Sequence, residues 1–173
     1  DLMTIAKGLT SGYIPMGGLI VSDKVFEVIN RGGDFNHGFT YSGHPVSAAV
    51  ALENIRILRD EKIIERVCEE TAPYLQKRLR ELLDHPLVGE VCGVGMLGAI
   101  ELVKDKATRA RFEGKGAGMI CRGHCFNNGL IMRAVGDTMI ISPPLVISKA
   151  EIDELVTKAR LCLDLTAEAL LAH

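Results

Sequence analysis

The stretch IAKGLTSGYIPMGG, residues 5–18, decides how the rest of the sequence is interpreted. It places Lys7 between a strand-like apolar segment and a loop rich in glycine. The glycines and Pro15 let the backbone approach a ligand closely, so this loop suits a lysine that faces a cleft. The alternative is a solvated lysine at a strand end, because most lysines are exposed. A Walker-type phosphate loop is not indicated, since glycine rather than Ser or Thr follows Lys7.

The composition predicts a globular protein and disfavours several classes of function. The chain has 173 residues, of which 47% are apolar and 24% charged. Its 20 basic and 22 acidic residues give a net charge of −2 without a block of like charge, which disfavours nucleic-acid and membrane partners. No apolar run approaches the roughly 20 residues of a membrane span, and the N-terminus lacks a signal-peptide pattern. We therefore expect a cytoplasmic protein.

The five cysteines predict neither a disulfide framework nor a metal centre. Their number is odd and their spacing irregular. The densest cluster, Cys121-Arg-Gly-His124-Cys125, lacks a second ligand pair at the spacing of a zinc site. Cys121 and Cys125 lie four residues apart in a predicted helix, so we expect them on one buried face. The sequence gives no reason to expect a metal.

Strand-like and helix-like segments follow one another in an order that predicts an α/β or α+β protein built in layers. In the first part we expect strands over 2–6 and 17–22 and a loop over 7–16. We also expect a helix that the side chains of Ser22 and Asp23 cap and that runs to Arg31, and a helix opened by Pro45. A second amphipathic pattern covers 62–83. Its apolar stripe is Ile63, Val67, Thr71, Leu75, Leu79 and Leu82. We then expect strands over 88–92, 96–103, 130–134 and 138–142 and a helix over 115–128. The capping box Ser148-Lys-Ala-Glu151 predicts the start of a last helix, which runs to Leu170.

The stretch HGFTYSGHP, residues 37–45, is a candidate phosphate-binding loop. It combines glycines with three successive hydroxyl residues, Thr40, Tyr41 and Ser42, just before a predicted helix N-terminus. The alternative is a turn that caps the helix at Pro45. Catalysis by one of its histidines is disfavoured, because no nucleophile is arranged beside them.

Two further motifs have a functional and a structural interpretation. In RAVGDTMIISPPL, residues 133–145, Arg133 at the end of a short apolar strand suits bidentate binding of a carboxylate, and the alternative is a surface arginine. Gly93-Val-Gly95 is half of a dinucleotide-binding motif, but no helix is predicted to begin after it. We interpret it as a tight bend between strands.

Taken in order, these stretches closely resemble the class III aminotransferases of the fold-type-I pyridoxal-phosphate (PLP) family. The resemblance covers the whole chain through IAKGLTSGYIPMGG, HGFTYSGHP, ALENIRIL and GLIMRAVGDTMIISPPL. It implies an α/β fold of the PLP-dependent transferase type. Residues 1–60 would be the C-terminal end of the large cofactor-binding domain, and residues 61–173 the small α+β C-terminal domain.

The resemblance also implies a role for four residues. Lys7 matches the lysine that forms an aldimine with pyridoxal 5'-phosphate and moves the substrate proton. Thr40 matches the threonine that reaches the cofactor phosphate of the partner subunit, which implies a homodimer with a shared site, and Ser42 is a second candidate for the phosphate. Arg133 matches the arginine that binds the acceptor carboxylate in the amine and ω-amino acid:pyruvate branch.

The implied reaction transfers an amino group from an amine or ω-amino acid to a keto acid such as pyruvate. The family's pyridinium aspartate, ring-stacking aromatic and phosphate-binding turn all lie upstream of Asp1, so we expect a C-terminal fragment that is inactive alone. A non-catalytic dimerisation or interaction module that retains the small domain is the alternative. The presence of Lys7, Thr40 and Arg133 together favours the enzyme.

Overall fold

The computed structural model describes residues 1–112, 114 and 116–171 of the chain. The chain divides into two units, the first from Asp1 to Ile63 and the second from Ile64 onward. The assignment of 1–60 and 61–173 to two family domains stays a prediction. Within the described ranges, no helix is long and apolar enough to cross a membrane.

The first unit holds the Lys7 loop between two paired strands. Strand β1 (Leu2–Ala6) pairs antiparallel with β2 (Gly17–Val21), and Ala6 lies opposite Gly17 where the loop leaves the hairpin. Both strands were predicted. The loop itself contains one turn of 3₁₀-helix, Lys7–Leu9, which the sequence did not predict.

Two helices follow the hairpin, α1 (Asp23–Arg31) and α2 (Pro45–Asp60). Both begin where they were predicted to begin. The prediction that the Ser22 side chain caps α1 is wrong, because its Oγ lies 3.4 Å from Asp1 Oδ1 instead. The Ser22 backbone N–H also donates to the Asp1 carbonyl, at 2.9 Å. Ser22 therefore ties the start of α1 to the N-terminal residue.

The second unit is a four-stranded antiparallel sheet with helices packed against it. The sheet order is β3 (Val88–Val94), β4 (Leu97–Leu102), β6 (Thr138–Ile141) and β5 (Arg133–Val135). Helix α4 (Ala72–Arg80) packs on β3. Helix α5 (Ala117–Asn127) packs on β5 and β6. Helix α6 (Lys149–Leu171) packs on α4 and α5. The start predicted for α5, residue 115, lies outside the described residues.

The amphipathic pattern over 62–83 forms four short helical pieces instead of one helix. They are α3 (Ile63–Arg66), a π-helical turn (Val67–Thr71), α4 (Ala72–Arg80) and a 3₁₀ turn (Glu81–Asp84). The predicted apolar stripe is confirmed, since all six of its residues are buried. Spacings of four and three residues keep side chains on one face through such local changes of helix type.

Three local predictions for the second unit are confirmed: the bend at Gly95, the capping box of α6 and the buried cysteines of α5. Gly95, at φ +59°, lies in the tight bend between β3 and β4. The capping box opens α6, because the Ser148 N–H donates to Glu151 Oε2 at 2.7 Å and the Glu151 N–H donates to Ser148 Oγ at 3.2 Å. Cys121 and Cys125 are both buried on α5. In the part of the chain that the structure describes, no group of three or more His, Cys, Asp or Glu is arranged to hold a metal ion.

Candidate active site

Lys7 has an unusual backbone conformation. It is exposed, it begins the 3₁₀ turn, and its φ of +51° lies in the left-handed region that favours glycine. Ser11, four residues further along the same loop, has a φ of +49°. Such a conformation costs a non-glycine residue about 1–3 kcal/mol and persists only where the surroundings impose it. The strain at Lys7 therefore raises the question of what holds the turn.

Backbone hydrogen bonds close the turn from inside. The N–H groups of Thr10 and Gly12 both donate to the Lys7 carbonyl, at 3.2 and 3.3 Å. Thr10 is fully buried, and its Oγ1 donates to the Ile14 carbonyl at 2.7 Å. These bonds fold the loop back on itself, so that Lys7 stands at the start of a closed structure and not in an open coil.

One side chain of α2 holds the turn from outside. Asn54 Nδ2 donates to the carbonyls of Gly8 and Leu9, at 2.9 and 3.1 Å, and Asn54 Oδ1 accepts from Ser11 Oγ at 2.6 Å. Sequence reasoning missed this residue. The sequence carried only a weak signal for it. Asparagine is a poor helix former, so its position in the middle of ALENIRIL indicates that its side chain forms a hydrogen bond elsewhere.

An open cleft of about 780 Å³ lies in the first unit, between the Lys7 loop and the 37–45 loop. Its lining includes Ala6, Pro15, Tyr41, Ser42, His44 and Ser47. Two stretches singled out from the sequence thus meet at one cleft. Ser42 lines it directly, and Lys7 and Thr40 are each the chain neighbour of a lining residue.

The 37–45 loop contains a turn just before α2, and the side chain of His44, the N-cap residue, forms no capping hydrogen bond. The Ser42 N–H donates to the Phe39 carbonyl at 2.9 Å, and Gly43 follows with a φ of +69°. Thr40 is exposed in the middle of this turn. A turn and a phosphate-binding loop are compatible, because both leave hydroxyls and helix N–H groups at the surface. Phosphate binding by Thr40 and Ser42 stays a prediction.

Arg133 lies in the second unit, at the first position of β5, where it pairs with Ile140 of β6. Its exposed side chain lines an open cleft of about 360 Å³ together with Arg122 of α5. The Arg122 guanidinium lies 5.4 Å from the centre of the Phe126 ring, a cation–π distance. Two positive groups at one cleft favour an anionic ligand.

Comparison with known proteins gives one consistent result. The family described as aminotransferase class-III matches residues 1–163. A putrescine–pyruvate aminotransferase of Pseudomonas aeruginosa is 75% identical over 172 residues, which cover 99% of this chain and 38% of that protein. The mitochondrial gamma aminobutyrate transaminase 1 of Solanum lycopersicum is 42% identical over 161 residues, 90% of this chain and 31% of that protein.

Solved structures agree with the sequence relatives. A transaminase from the marine bacterium Virgibacillus has a TM-score of 0.93 at 36% identity, over 98% of this chain and 40% of that one. The predicted α/β fold of the PLP-dependent transferases is therefore confirmed. The chain belongs to the class-III aminotransferases. It spans less than two fifths of the length of the curated relatives named above.

Proposed function

We propose that this chain supplies the lysine-bearing part of a transaminase that transfers an amino group from an amine or ω-amino acid to a keto acid such as pyruvate. The observation that carries the proposal is the strained, hydrogen-bonded turn that presents Lys7 beside a cleft. Family membership and the 75% identity to a putrescine–pyruvate aminotransferase support it. Because the chain spans only part of its relatives, this is a proposal about the full-length protein.

The residues of the first unit fit pyridoxal phosphate by their chemistry. Lys7 offers a primary amine, which would hold the cofactor covalently. The exposed hydroxyls of the 37–45 loop and the N-terminus of α2 offer donors for a phosphate, with Thr40 acting on the cofactor of the partner subunit in a homodimer. When bound, the cofactor supplies a ring that withdraws electrons from the substrate carbon.

The chain's own residues then have three tasks. With the cofactor bound, the Lys7 Nζ would take a proton from the amine-bearing carbon of the substrate, as a general base, and would deliver it to the cofactor, as a general acid. The guanidinium of Arg133 binds the carboxylate of the keto acid through two parallel hydrogen bonds. Thr40 and Ser42 orient the phosphate. We propose that 1–60 belongs to the large domain and 61–173 to the small domain, that the chain alone is inactive, and that the protein is cytoplasmic.

A non-catalytic interaction module is the second candidate. The observation that favours it is a set of exposed aromatic side chains in the first unit: Tyr13, Phe35, Phe39 and Tyr41. Such side chains are typical of surfaces that contact another chain. The same surface suits a homodimer, however, so it discriminates less well than the chemistry of Lys7.

Reductive labelling tests the proposal. The 173 residues are expressed alone and also as a full-length hybrid, in which the P. aeruginosa relative supplies the remaining length. Pyridoxal phosphate and borohydride are added, and the modified lysines are identified by peptide mapping. We expect selective labelling of Lys7 in the hybrid alone.

Lys62 is the matched control for this experiment. It is exposed, belongs to the same unit, and has a φ of +49°, close to that of Lys7. If exposure or backbone conformation alone determines which lysines react, Lys7 and Lys62 are therefore labelled equally. Equal labelling of Lys7 and Lys62 in the hybrid would overturn the transaminase proposal and favour the interaction module.

A further inference from the structure

We propose that Asn54 is a positioning residue for Lys7: its side-chain amide fixes the turn that aims the lysine amine. The inference rests on the proposed function, because it assumes that Lys7 carries the chemistry. Asn54 is half-buried near the middle of α2, and its sequence distance from Lys7 is 47 residues. The hydrogen bonds of its side chain go to the turn.

The amide of Asn54 uses its donors and its acceptor on this one turn. Its Nδ2 bonds to the carbonyls of the two residues that directly follow Lys7, Gly8 and Leu9. Its Oδ1 accepts from the hydroxyl of Ser11, the other non-glycine residue of this loop with a positive φ. Asn54 thus contacts the turn next to both strained residues. A side chain with one kind of polar atom cannot make this set of bonds.

The internal hydrogen bonds of the 7–16 loop do not connect it to α2, whereas those of Asn54 do. The backbone bonds from Thr10 and Gly12 to the Lys7 carbonyl close the turn but do not tie it to the rest of the unit. Among the described residues, Asn54 is the side chain outside the 7–16 loop that hydrogen-bonds to it. Without these bonds the turn loses its hydrogen-bonded link to α2, so the position of the Lys7 Nζ is less well fixed.

Small displacements of a reacting group have large kinetic effects. A misplacement of about 1 Å can cost on the order of 100-fold in rate. Loss of the Asn54 bonds should therefore lower the rate of proton transfer by Lys7 while substrate binding changes little. This separates a positioning role from a role in stability alone, which would lower the amount of folded protein but not the rate per folded molecule.

The test uses the full-length hybrid with three variants. Asn54→Asp keeps the shape and the acceptor for Ser11 but loses both donors, and Asn54→Ala loses the whole set. Glu53→Ala is the matched control, because Glu53 is the preceding residue of α2 and pairs with Arg56, away from the turn. We measure kcat and KM for both substrates, and the rate at which pyridoxal phosphate and borohydride label Lys7.

We expect both Asn54 variants to lower kcat and the Lys7 labelling rate together, roughly 10- to 100-fold, with KM and the Glu53→Ala hybrid nearly unchanged. Unchanged kcat and labelling rate in folded Asn54 variants would overturn the inference and leave Asn54 as a structural tie. If both variants fail to fold, Ser11→Ala decides. It removes one bond, and it should lower the same two quantities by a smaller factor, whereas no change overturns the inference.

Different results would refute the proposed function and the positioning role of Asn54. If the unmodified hybrid is not labelled selectively at Lys7, the transaminase proposal is wrong and the inference falls with it. If the unmodified hybrid is labelled at Lys7 and the Asn54 variants are labelled equally fast, the function stands and the positioning role is wrong.

Discussion

Ser42 and Phe39 close one turn from both sides: the Ser42 N–H donates to the Phe39 carbonyl at 2.9 Å, and the Phe39 N–H donates to Ser42 Oγ at 3.1 Å. Thr40 and Tyr41 are the two residues between them, and both are exposed. The Ser42 hydroxyl accepts one hydrogen bond here and still has a proton to donate. Ser42 therefore shapes the turn that presents Thr40, whether or not it also contacts a phosphate.

This relationship predicts different effects for the two hydroxyls on cofactor affinity. In the full-length hybrid, Thr40→Ala should weaken the binding of pyridoxal phosphate roughly 10- to 100-fold, the value of one hydrogen bond to a charged group. Ser42→Ala should have a smaller effect, because its main bond is to the loop backbone. Equilibrium dialysis measures both affinities. A larger effect of Ser42→Ala would reverse the two assignments.

The packing of α5 on the β5–β6 turn predicts opposite effects for two glycines of one helix. A Cβ at Gly118 would lie 2.1 Å from the Gly136 carbonyl oxygen, whereas a Cβ at Gly123 has no neighbour within 4 Å among the described residues. Gly118→Ala should destabilise the hybrid by about 1–3 kcal/mol or more. Gly123→Ala, the control, should stabilise it by about 0.5–1 kcal/mol. Urea unfolding measures both, and equal shifts would contradict this packing.

Individual features of the fold differ in how far the sequence predicts them. The stripe from Ile63 to Leu82 was predictable, because apolar residues spaced by three or four share a face in any helical backbone. The π turn inside it was not, because one shifted hydrogen bond leaves no mark in a hydrophobic pattern. The capping box at Ser148 was predictable, since its bonds join residues three apart.

The candidate site was predictable in its motifs but not in its geometry. The stretches around Lys7 and Thr40 stand out by their glycines and hydroxyls, and the cleft brings these two loops together. The left-handed φ of Lys7 and its support by Asn54 depend on hydrogen bonds between residues more than 40 positions apart. Local propensity carries no information about such contacts, so only the folded structure displays them.

The Glu151 carboxylate predicts a stability term that depends on pH. The Ser148 backbone N–H, followed by the Ser148 hydroxyl, lowers the pKa of Glu151 below its ordinary value of 4.5. A carboxyl with a lowered pKa in the folded state contributes stability that is present above its unfolded pKa. That contribution is lost as the pH falls through the folded pKa.

Comparison with Glu151→Gln isolates this term. We expect the hybrid to be more stable than its Glu151→Gln variant near pH 7, and the difference to disappear as the pH falls below about 4.5. Urea unfolding across this pH range measures it. A stability difference that stays constant between pH 7 and pH 3 would show that the carboxylate charge has no part in the cap.

The five thiols should divide into two reactive and three protected groups. Cys68 and Cys92 are exposed, whereas Cys121, Cys125 and Cys162 are buried. Burial raises the pKa of Cys162, and a hydrogen bond with Cys121 together with burial raises that of Cys125, so less of the reactive thiolate forms. Brief alkylation of the native 173-residue chain, followed by peptide mapping, should modify the exposed pair. All five should react in denaturant.

The thiol experiment also tests how α5 packs on α6. Cys121 and Cys125 belong to α5 and Cys162 to α6, and all three are at most 2% exposed. Modification of Cys121 as fast as Cys68 in the native chain would contradict this packing. The exposed pair serves as the internal control, because both cysteines share the sample and the reagent with the buried three.

The cleft in the second unit predicts that one of its two arginines controls the acceptor substrate. Arg133 is anchored by the ladder between β5 and β6, whereas Arg122 lies over the Phe126 ring. In the hybrid, Arg133→Ala should raise KM for pyruvate roughly 10- to 100-fold, since a charge-assisted hydrogen bond contributes about 1.5–3 kcal/mol. The half-reaction with an amine donor that has no carboxylate should change little.

Two further variants test whether charge or geometry is responsible. Arg133→Lys keeps the charge but loses the planar pair of donors, so it should recover only part of the pyruvate affinity. Arg122→Ala removes the other guanidinium of the same cleft and should leave KM for pyruvate nearly unchanged. If Arg122→Ala raises this KM as much as Arg133→Ala does, the cleft attracts the keto acid by its overall positive charge. Bidentate binding of the carboxylate by Arg133 would then be wrong.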